Sequence, residues 1–208
     1  MKVVMSNHGI IAYEQEIPLT IRLTEKETCK MLKKKVDFSK YDYHCEVAHL
    51  EISNTCNLKC KYCYVGKMKG MELDTHDWKS IIKNIAAAGV FQVSFGGGEP
   101  TLRPDLMELA SHVATCGMNL GMTTNGIELE KLNPFLLKKY FKQINVSWHG
   151  YDRVVKNSLK FLKKNDIPAG INYTFSKENS KDDEKVQEMA DRYSAEILYL
   201  MYKPVVGD

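Results

Sequence analysis

Several features are scarce in this chain of 208 residues, and each absence excludes a class of protein. No stretch approaches the roughly 20 consecutive apolar residues that a membrane span needs, and residues 1–8 lack the apolar core of a signal peptide. Neither sign of charge dominates, since the chain has 29 basic and 26 acidic residues and a net charge of +3. The lysines form no continuous basic stripe. These absences predict a cytoplasmic protein that binds neither membrane nor nucleic acid.

The composition that remains is that of a folded soluble protein. Hydrophobic residues make up 44% of the chain and charged residues 26%, as is typical of one globular domain or a domain with a small extension. A chain of this size buries roughly 70% of the surface that its unfolded form exposes. It can therefore build a core without disulfide bonds.

Short β-branched runs alternate with amphipathic helical patterns along most of the chain, which is typical of βα units and a parallel sheet. The predicted strands span residues 47–52, 91–95, 119–123, 143–148, 169–175 and 196–201. The 163 residues from 46 to 208 are too few for an eight-unit barrel, which needs about 250. The sequence predicts an α/β protein with an incomplete (β/α)6 TIM-like barrel.

A short N-terminal extension over residues 1–45 precedes the predicted barrel domain, 46–208. Its strand pattern is the alternation of Ile17, Leu19, Ile21 and Leu23. Thr24 and Glu27 have the spacing of a capping box, which predicts a short helix that continues to Lys35.

The six cysteines are unevenly distributed. Three of them, Cys56, Cys60 and Cys63, form a C-x3-C-x2-C motif directly after the first predicted barrel strand. This spacing is poor for a disulfide framework and good for a metal site, and the carboxyl end of a parallel strand is where α/β folds place their active sites.

Zinc and ferredoxin-type sites are the first alternatives for this motif. A structural zinc site needs four closed ligands, and a fourth would have to come from Cys45, Cys116, His49 or His76, none of which has a supporting spacing. A ferredoxin site uses a different spacing and also requires a fourth cysteine. Three cysteines without metal, acting as small hydrophobes, are the simplest alternative. The motif itself favours a 4Fe-4S cluster with one iron left open.

A second motif, Gly96-Gly97-Gly98-Glu99-Pro100, ends the second predicted strand. Glycines at this point allow the backbone to approach a ligand closely. Alone the motif would indicate only a turn, and it lacks the order of a nucleotide-binding loop.

Together the two motifs resemble those of the radical S-adenosylmethionine (SAM) superfamily, with Tyr62 as the aromatic residue before the third cysteine. The resemblance covers about residues 46–204. It implies that Cys56, Cys60 and Cys63 bind three irons of a 4Fe-4S cluster and that SAM chelates the fourth. An external electron donor, such as a flavodoxin or ferredoxin, would reduce the cluster. Cleavage of SAM would then give a 5′-deoxyadenosyl radical that abstracts a hydrogen atom from the substrate.

The resemblance also implies a set of SAM contacts. Gly97, Gly98 and Glu99 match the positions that hold the methionyl ammonium, and Ser147 matches the position whose hydroxyl meets SAM. Two further residues complete the predicted set, with Ile171 near the adenine and Tyr62 in the wall that excludes water.

Three residues are candidates on the substrate side. Thr124 and Asn125 stand in a TTNG-like strand end, where an Asn-Gly turn is the alternative interpretation. His149 stands where relatives often carry an aspartate; it could act as a base or hydrogen-bond donor, or simply be a satisfied loop histidine.

The substrate is the least determined part of the prediction. Cys29, Cys45 and Cys116 are too few and scattered for an auxiliary cluster, and the chain stops soon after the sixth predicted strand. The uncovered side of the barrel suits a peptide or partner protein, glycyl-radical activation included, or a C-terminal segment outside this sequence. We expect modification of a peptide or protein, with small-molecule chemistry as the alternative. The alternative is a non-catalytic iron–sulfur or zinc-binding module.

Overall fold

The computed structural model describes residues 2–6, 9–14, 19–40, 45–61, 63, 72–177 and 179–201. Its strands form a three-stranded antiparallel sheet near the N-terminus and a six-stranded parallel sheet. In chain order the strands are β1 (Lys2–Ser6), β2 (Gly9–Glu14), β3 (Leu19–Thr24), β4 (Val47–Ser53), β5 (Gln92–Gly97), β6 (Asn119–Thr124), β7 (Phe141–Ser147), β8 (Ala169–Phe175) and β9 (Glu196–Met201).

The parallel sheet has its strands in sequence order, from β4 to β9, and a helix lies in each connection. The helices are α1 (Glu25–Leu32), α2 (Thr75–Ala87), α3 (Leu106–Thr115), α4 (Pro134–Tyr140), α5 (Asp152–Lys164) and α6 (Asp183–Tyr193). This order confirms the predicted βα repeat. No helix among the described residues is long and apolar enough to cross a membrane.

Local sequence signals explain where several helices begin. The Asp74 side chain accepts a hydrogen bond from the backbone of Asp77 at the start of α2, and Asn133 caps α4 directly before Pro134. Both are residue types that stabilise a helix N-terminus, because a side-chain oxygen satisfies backbone N–H groups without intrahelical partners. Trp78 and Ile82 then form the buried stripe of α2.

The parallel sheet has one apolar face and one face that is mostly polar from β5 to β8. Val93, Phe95, Ile144 and Val146 belong to the core that packs against the helices, and each such side chain contributes roughly 1.5–3 kcal/mol by its burial. The residues that alternate with core residues point to the opposite side, which we call the open face. It carries Ser94, Gly96, Gly121, Thr123, Asn145, Ser147, Gly170 and Asn172.

The N-terminal region contains more structure than the sequence predicted. The expected strand corresponds to β3, and Thr24 and Glu27 form the predicted capping box of α1, whereas Ile17 lies outside the described residues. Two further strands, β1 and β2, complete an antiparallel sheet. That sheet meets the parallel sheet through a small buried cluster of Ile11 and Phe91.

Candidate active site

The three motif cysteines lie beyond the carboxyl end of β4, in a segment we call the cysteine loop (residues 54–63). The register between β4 and β5 shifts between Glu51 and Ser53, an irregularity often found beside active sites. All three cysteines are free thiols, with Cys60 and Cys63 half-buried and Cys56 exposed. Tyr62 lies outside the described residues, so its predicted role stays a prediction.

The glycine motif packs directly against the beginning of this loop. The backbone N–H of Gly98 donates to the Ser53 carbonyl at 2.6 Å, and that of Glu99 donates to the Thr55 carbonyl at 2.8 Å. A Cβ atom on Gly98 would overlap the Thr55 carbonyl oxygen, and Gly97 has a φ of +120°. Both positions therefore require glycine, because the two strand ends approach more closely than a side chain allows.

The Glu99 side chain is buried and joins the ends of β5 and β6. Its Oε1 accepts hydrogen bonds from the Thr101 backbone (3.1 Å), the Thr101 hydroxyl (2.7 Å) and the Thr124 hydroxyl (2.6 Å). Its Oε2 accepts from the backbone N–H of Asn125 at 2.7 Å. A buried carboxylate is stable only when its oxygens are satisfied in this way. The Glu99 carboxylate therefore acts here as a structural link between two strand ends.

The same network explains Thr124 and Asn125. The Asn125 side chain donates to Asn57 of the cysteine loop at 2.7 Å and accepts from the backbone of Ile127 at 3.0 Å, and Gly126 has a positive φ. An Asn-Gly turn is thus present, and it also braces the cysteine loop. In this structure both side chains serve the scaffold of the site rather than pointing freely at a substrate.

The electrostatic properties of the cysteine loop favour the binding of a cationic group. Burial raises the pKa of the Cys60 thiol, and the negative charges of Cys63 and Cys56 raise it further. A bound metal neutralises thiolates on one loop and so removes the repulsion between them. The donor set and the glycine cradle beside it fit an iron–sulfur cluster.

The other candidate ligands lie elsewhere. Cys45 and Cys116 precede β4 and β6 and so lie at the opposite, amino edge of the sheet. His76 is exposed on α2, beside Asp74 and Asp77. None of these residues contacts the cysteine loop among the described contacts.

His149, which is distant in sequence, contacts the cysteine loop in the tertiary structure. It follows β7, and its Nδ1 lies 3.6 Å from the Cys60 sulfur although the two residues are 89 positions apart. Burial lowers the pKa of His149. Sequence reasoning placed His149 on the substrate side and missed its contact with a cysteine.

The two predicted SAM contacts on the later strands, Ser147 and Ile171, lie on opposite faces of the sheet. Ser147 lies on the open face at the end of β7. Ile171 is fully buried in the core between the sheet and the helices, because its neighbours Gly170 and Asn172 take the open face. This placement argues against a contact between the Ile171 side chain and a ligand on the open face.

The open face carries a row of hydrogen-bonded polar side chains that the sequence analysis did not predict. The Asn145 side chain donates to the Asn172 side-chain oxygen at 3.0 Å, and Asn172 donates to the Thr123 hydroxyl at 3.2 Å. The Asn145 oxygen is buried and accepts no hydrogen bond from the described residues. The available signal was the period-two alternation of polar residues in β6, β7 and β8.

A buried arginine, also not predicted, fastens both ends of the segment that bears the cysteines. Arg103 forms a two-point ion pair with Asp105 (2.7 and 3.0 Å) and donates to the backbone carbonyls of Ile52 (2.6 Å) and Leu73 (3.1 Å). Glu72 lies 3.8 Å from Arg103 and accepts from the backbone of Asn54 at 3.2 Å. We call this group the Arg103 clasp.

A parallel βα sheet with three free cysteines on one loop and a glycine cradle at its carboxyl edge is the arrangement of a class of metallocluster enzymes. Comparison with known sequences identifies the family: the model of the Radical SAM superfamily matches residues 50–189. The chain belongs to this superfamily. Membership confirms the predicted superfamily, whose members use a 4Fe-4S cluster and SAM.

Individual relatives agree with this assignment. The PqqA peptide cyclase of Bradyrhizobium diazoefficiens is 32% identical over 149 residues, which are 62% of this chain and 39% of that enzyme. A probable GTP 3′,8-cyclase of Metallosphaera sedula is 27% identical over 188 residues, 81% of this chain and 59% of the relative. The chain thus spans between two fifths and three fifths of these relatives.

Solved structures support the fold. SuiB of Streptococcus suis bound to SAM superposes with a TM-score of 0.76 at 17% identity, covering 99% of this chain and 63% of that one. SuiB bound to the precursor peptide SuiA superposes with a TM-score of 0.73 at 16% identity, covering 97% of this chain and 62% of that one. The likeness confirms the predicted partial barrel.

Proposed function

We propose that the protein is a radical SAM enzyme in which Cys56, Cys60 and Cys63 hold the cluster. The observation that carries the proposal is the position of three free cysteines on one loop at the carboxyl edge of the parallel sheet, directly beside the glycine cradle. The bound cluster and SAM supply a one-electron cleavage that yields a 5′-deoxyadenosyl radical for hydrogen-atom abstraction.

The chain's own residues bind SAM and hold it in position. The backbone of Gly97 and Gly98 supports the ammonium of SAM, and Glu99 contributes by fixing that backbone through Thr101, Thr124 and Asn125. The Ser147 hydroxyl, at the end of β7 on the open face, would make a further polar contact with SAM. No residue is assigned a proton transfer, because the radical step requires none.

We propose a peptide or protein as the substrate, bound along the open face. One relative is a peptide cyclase, and SuiB has been solved with a precursor peptide. The hydroxyl and carboxamide groups of Thr123, Asn145 and Asn172 suit the N–H and C=O groups of an extended main chain.

An external electron donor, such as a flavodoxin or ferredoxin, completes the proposal, together with a cytoplasmic location. The six cysteines include no disulfide bond, which suits a reducing compartment.

A non-catalytic zinc module is the second candidate, and one observation favours it. The His149 Nδ1 atom lies 3.6 Å from the Cys60 sulfur, and His149 would be the fourth ligand of a Cys₃His set, a common structural zinc site. The two candidates differ in metal content and in their response to SAM.

Anaerobic reconstitution with iron and sulfide distinguishes them. The expected result is a cluster with about four irons per chain, an electron paramagnetic resonance (EPR) spectrum that changes when SAM is added, and 5′-deoxyadenosine formation. Cys60→Ala should abolish all three, whereas the matched control Cys45→Ala, an exposed cysteine at the amino edge, should retain them. Zinc in place of iron, or a spectrum indifferent to SAM, would contradict the proposal.

The substrate class is tested by fractionating an extract of the source organism by size. We expect the peptide and protein fraction to stimulate 5′-deoxyadenosine formation and to lose this effect after protease digestion. Stimulation only by the small-molecule fraction would show that the substrate is not a peptide.

A further inference from the structure

His149 occupies a fixed position beside one of the three motif cysteines. Its Nδ1 lies 3.6 Å from the Cys60 sulfur, within hydrogen-bonding distance for a sulfur acceptor. The described contacts of Cys56 and Cys63 are made within the loop itself: the Cys56 sulfur accepts from the backbone of Leu58, and the backbone of Cys63 donates to Cys60. The His149 contact is thus the one that couples a cluster sulfur to a distant strand.

The backbone before and after His149 restricts where its ring can go. The preceding residue, Trp148, is buried and donates its backbone N–H to the Asn172 carbonyl at 2.9 Å, and its indole N–H donates to Asp182 at 3.3 Å. Gly150, which follows, has a φ of +77° and turns the chain away from the strand. The ring therefore projects from the anchored end of β7 rather than from a free loop.

A hydrogen bond at a cluster sulfur has a known physical effect. It withdraws negative charge from the thiolate, and it stabilises the reduced cluster more than the oxidised one because the reduced cluster carries one more electron. A ring N–H at Cys60 also offsets the repulsion that Cys63 and Cys56 exert on a Cys60 thiolate. Loss of the donor should make the cluster harder to reduce.

We propose that a ring N–H of His149 donates a hydrogen bond to the Cys60 sulfur and thereby raises the reduction potential of the cluster. The inference rests on the proposed function, because it requires the cluster at Cys56, Cys60 and Cys63. It assigns His149 a positioning and tuning role and no part in proton transfer.

The test uses the full reconstituted chain and three substitutions. His149→Phe removes the donor and keeps a ring. His149→Asn keeps an N–H at the same number of bonds from the backbone as Nδ1, and His149→Gln moves it to the position of Nε2. His76→Phe, at an exposed histidine on α2, is the matched control.

The readout is the midpoint potential from an EPR-monitored redox titration without SAM, at equal iron content. We expect the equilibrium constant for reduction to fall about tenfold in His149→Phe, which corresponds to about 59 mV for a one-electron couple. The midpoint potential of His149→Gln should fall by a similar amount. The potentials of His149→Asn and His76→Phe should stay near that of the unsubstituted protein. An unchanged potential in His149→Phe would overturn the inference.

A second measurement needs no variant and so does not depend on folding. Pulsed EPR of the reduced protein with ¹⁵N-labelled histidine should show a weak coupling from a nitrogen that is hydrogen-bonded through sulfur. A strong coupling from a nitrogen bound directly to iron, or no coupling at all, would overturn the donor role. If no iron–sulfur cluster forms, the proposed function fails first; if it forms and the potential is indifferent to His149, only the inference fails.

Discussion

Gly98 is the residue at which one added methyl group is expected to damage the site most. A Cβ there overlaps the Thr55 carbonyl oxygen of the cysteine loop, whereas a Cβ on Gly96 meets nothing within 4 Å. We expect Gly98→Ala to lower the free energy of unfolding by about 1–3 kcal/mol and to lower the iron retained after reconstitution. Gly96→Ala should change neither by much, because alanine is tolerated in open space.

Urea unfolding of the apoprotein and iron analysis of the reconstituted protein measure the two effects. Equal stability and iron content in the two variants would show that the loop relaxes away from residue 98.

Glu99 leads to a second prediction at the residue scale. In Glu99→Gln, one carboxylate oxygen becomes an NH₂ group that faces donors from Thr101, Thr124 or Asn125. We expect a loss of about 1–3 kcal/mol in the free energy of unfolding, since a buried donor is left without an acceptor. Glu108→Gln, at a largely exposed ion pair with Lys79, should cost less than about 1 kcal/mol.

Denaturant unfolding at neutral pH compares the two glutamates. A Glu99→Gln variant as stable as Glu108→Gln would mean that the buried network rearranges without cost. The motif alone identified Glu99 as a site residue, but not that its carboxylate joins two strand ends, because Thr124 and Asn125 meet it only after β5 and β6 pair.

At the element scale, the Arg103 clasp ties β4, the start of α2 and the segment before α3 together. Partial burial alone would raise the pKa of Asp105, but the hydrogen bonds from Arg103 and Thr75 and the charge of Arg103 outweigh it and lower the pKa. Because the folded pKa is below the unfolded one, ionised Asp105 stabilises the fold. This contribution is complete above the unfolded pKa of about 3.9 and is lost as the pH falls through the folded pKa.

We therefore expect Asp105→Asn to lower the free energy of unfolding at pH 7 by about 1.5–3 kcal/mol, the value of hydrogen bonds to a charged group. The difference from the unsubstituted protein should shrink as the pH falls below about 4. Chemical denaturation across this pH range is the measurement. A difference that does not depend on pH would show that the loss comes from packing rather than from the charge of Asp105.

The elements themselves were largely predictable. The bounds of β8 and β9 agree with the prediction. β7 begins two residues earlier than predicted, because α4 ends at Tyr140 and the strand follows at once. β1 and β2 were missed, although their apolar runs, such as Ile10-Ile11, were a usable signal.

At the scale of the whole molecule, contacts of two different kinds among the described residues connect the N-terminal sheet to the parallel sheet. Ile11 and Phe91 form a buried apolar cluster, and Arg22 pairs with Glu46 at 2.5 Å in a largely exposed position. The buried apolar cluster should stabilise the interface more than the ion pair does, because an exposed ion pair is worth less than about 1 kcal/mol. We expect Ile11→Ala to cost about 2–5 kcal/mol and Arg22→Ala less than about 1 kcal/mol.

Thermal and denaturant unfolding of the two variants, with the unsubstituted chain as reference, measure this difference. A larger effect for Arg22→Ala would mean that the interface depends on the ion pair. The division into an extension over residues 1–45 and a barrel over 46–208 stays a prediction, and the same measurements bear on it, since independent units would unfold in separate steps.

The sequence by itself determined the βα repeat, the cysteine motif and the glycine motif, because periodicity, capping and ligand spacing are local properties. Only the tertiary structure decided which side chains share the site. Ile171 turned into the core, while His149 met Cys60 from 89 positions away. Asn145, Asn172 and Thr123 joined across three strands. Contacts of this kind depend on strand order and register, which no local pattern specifies.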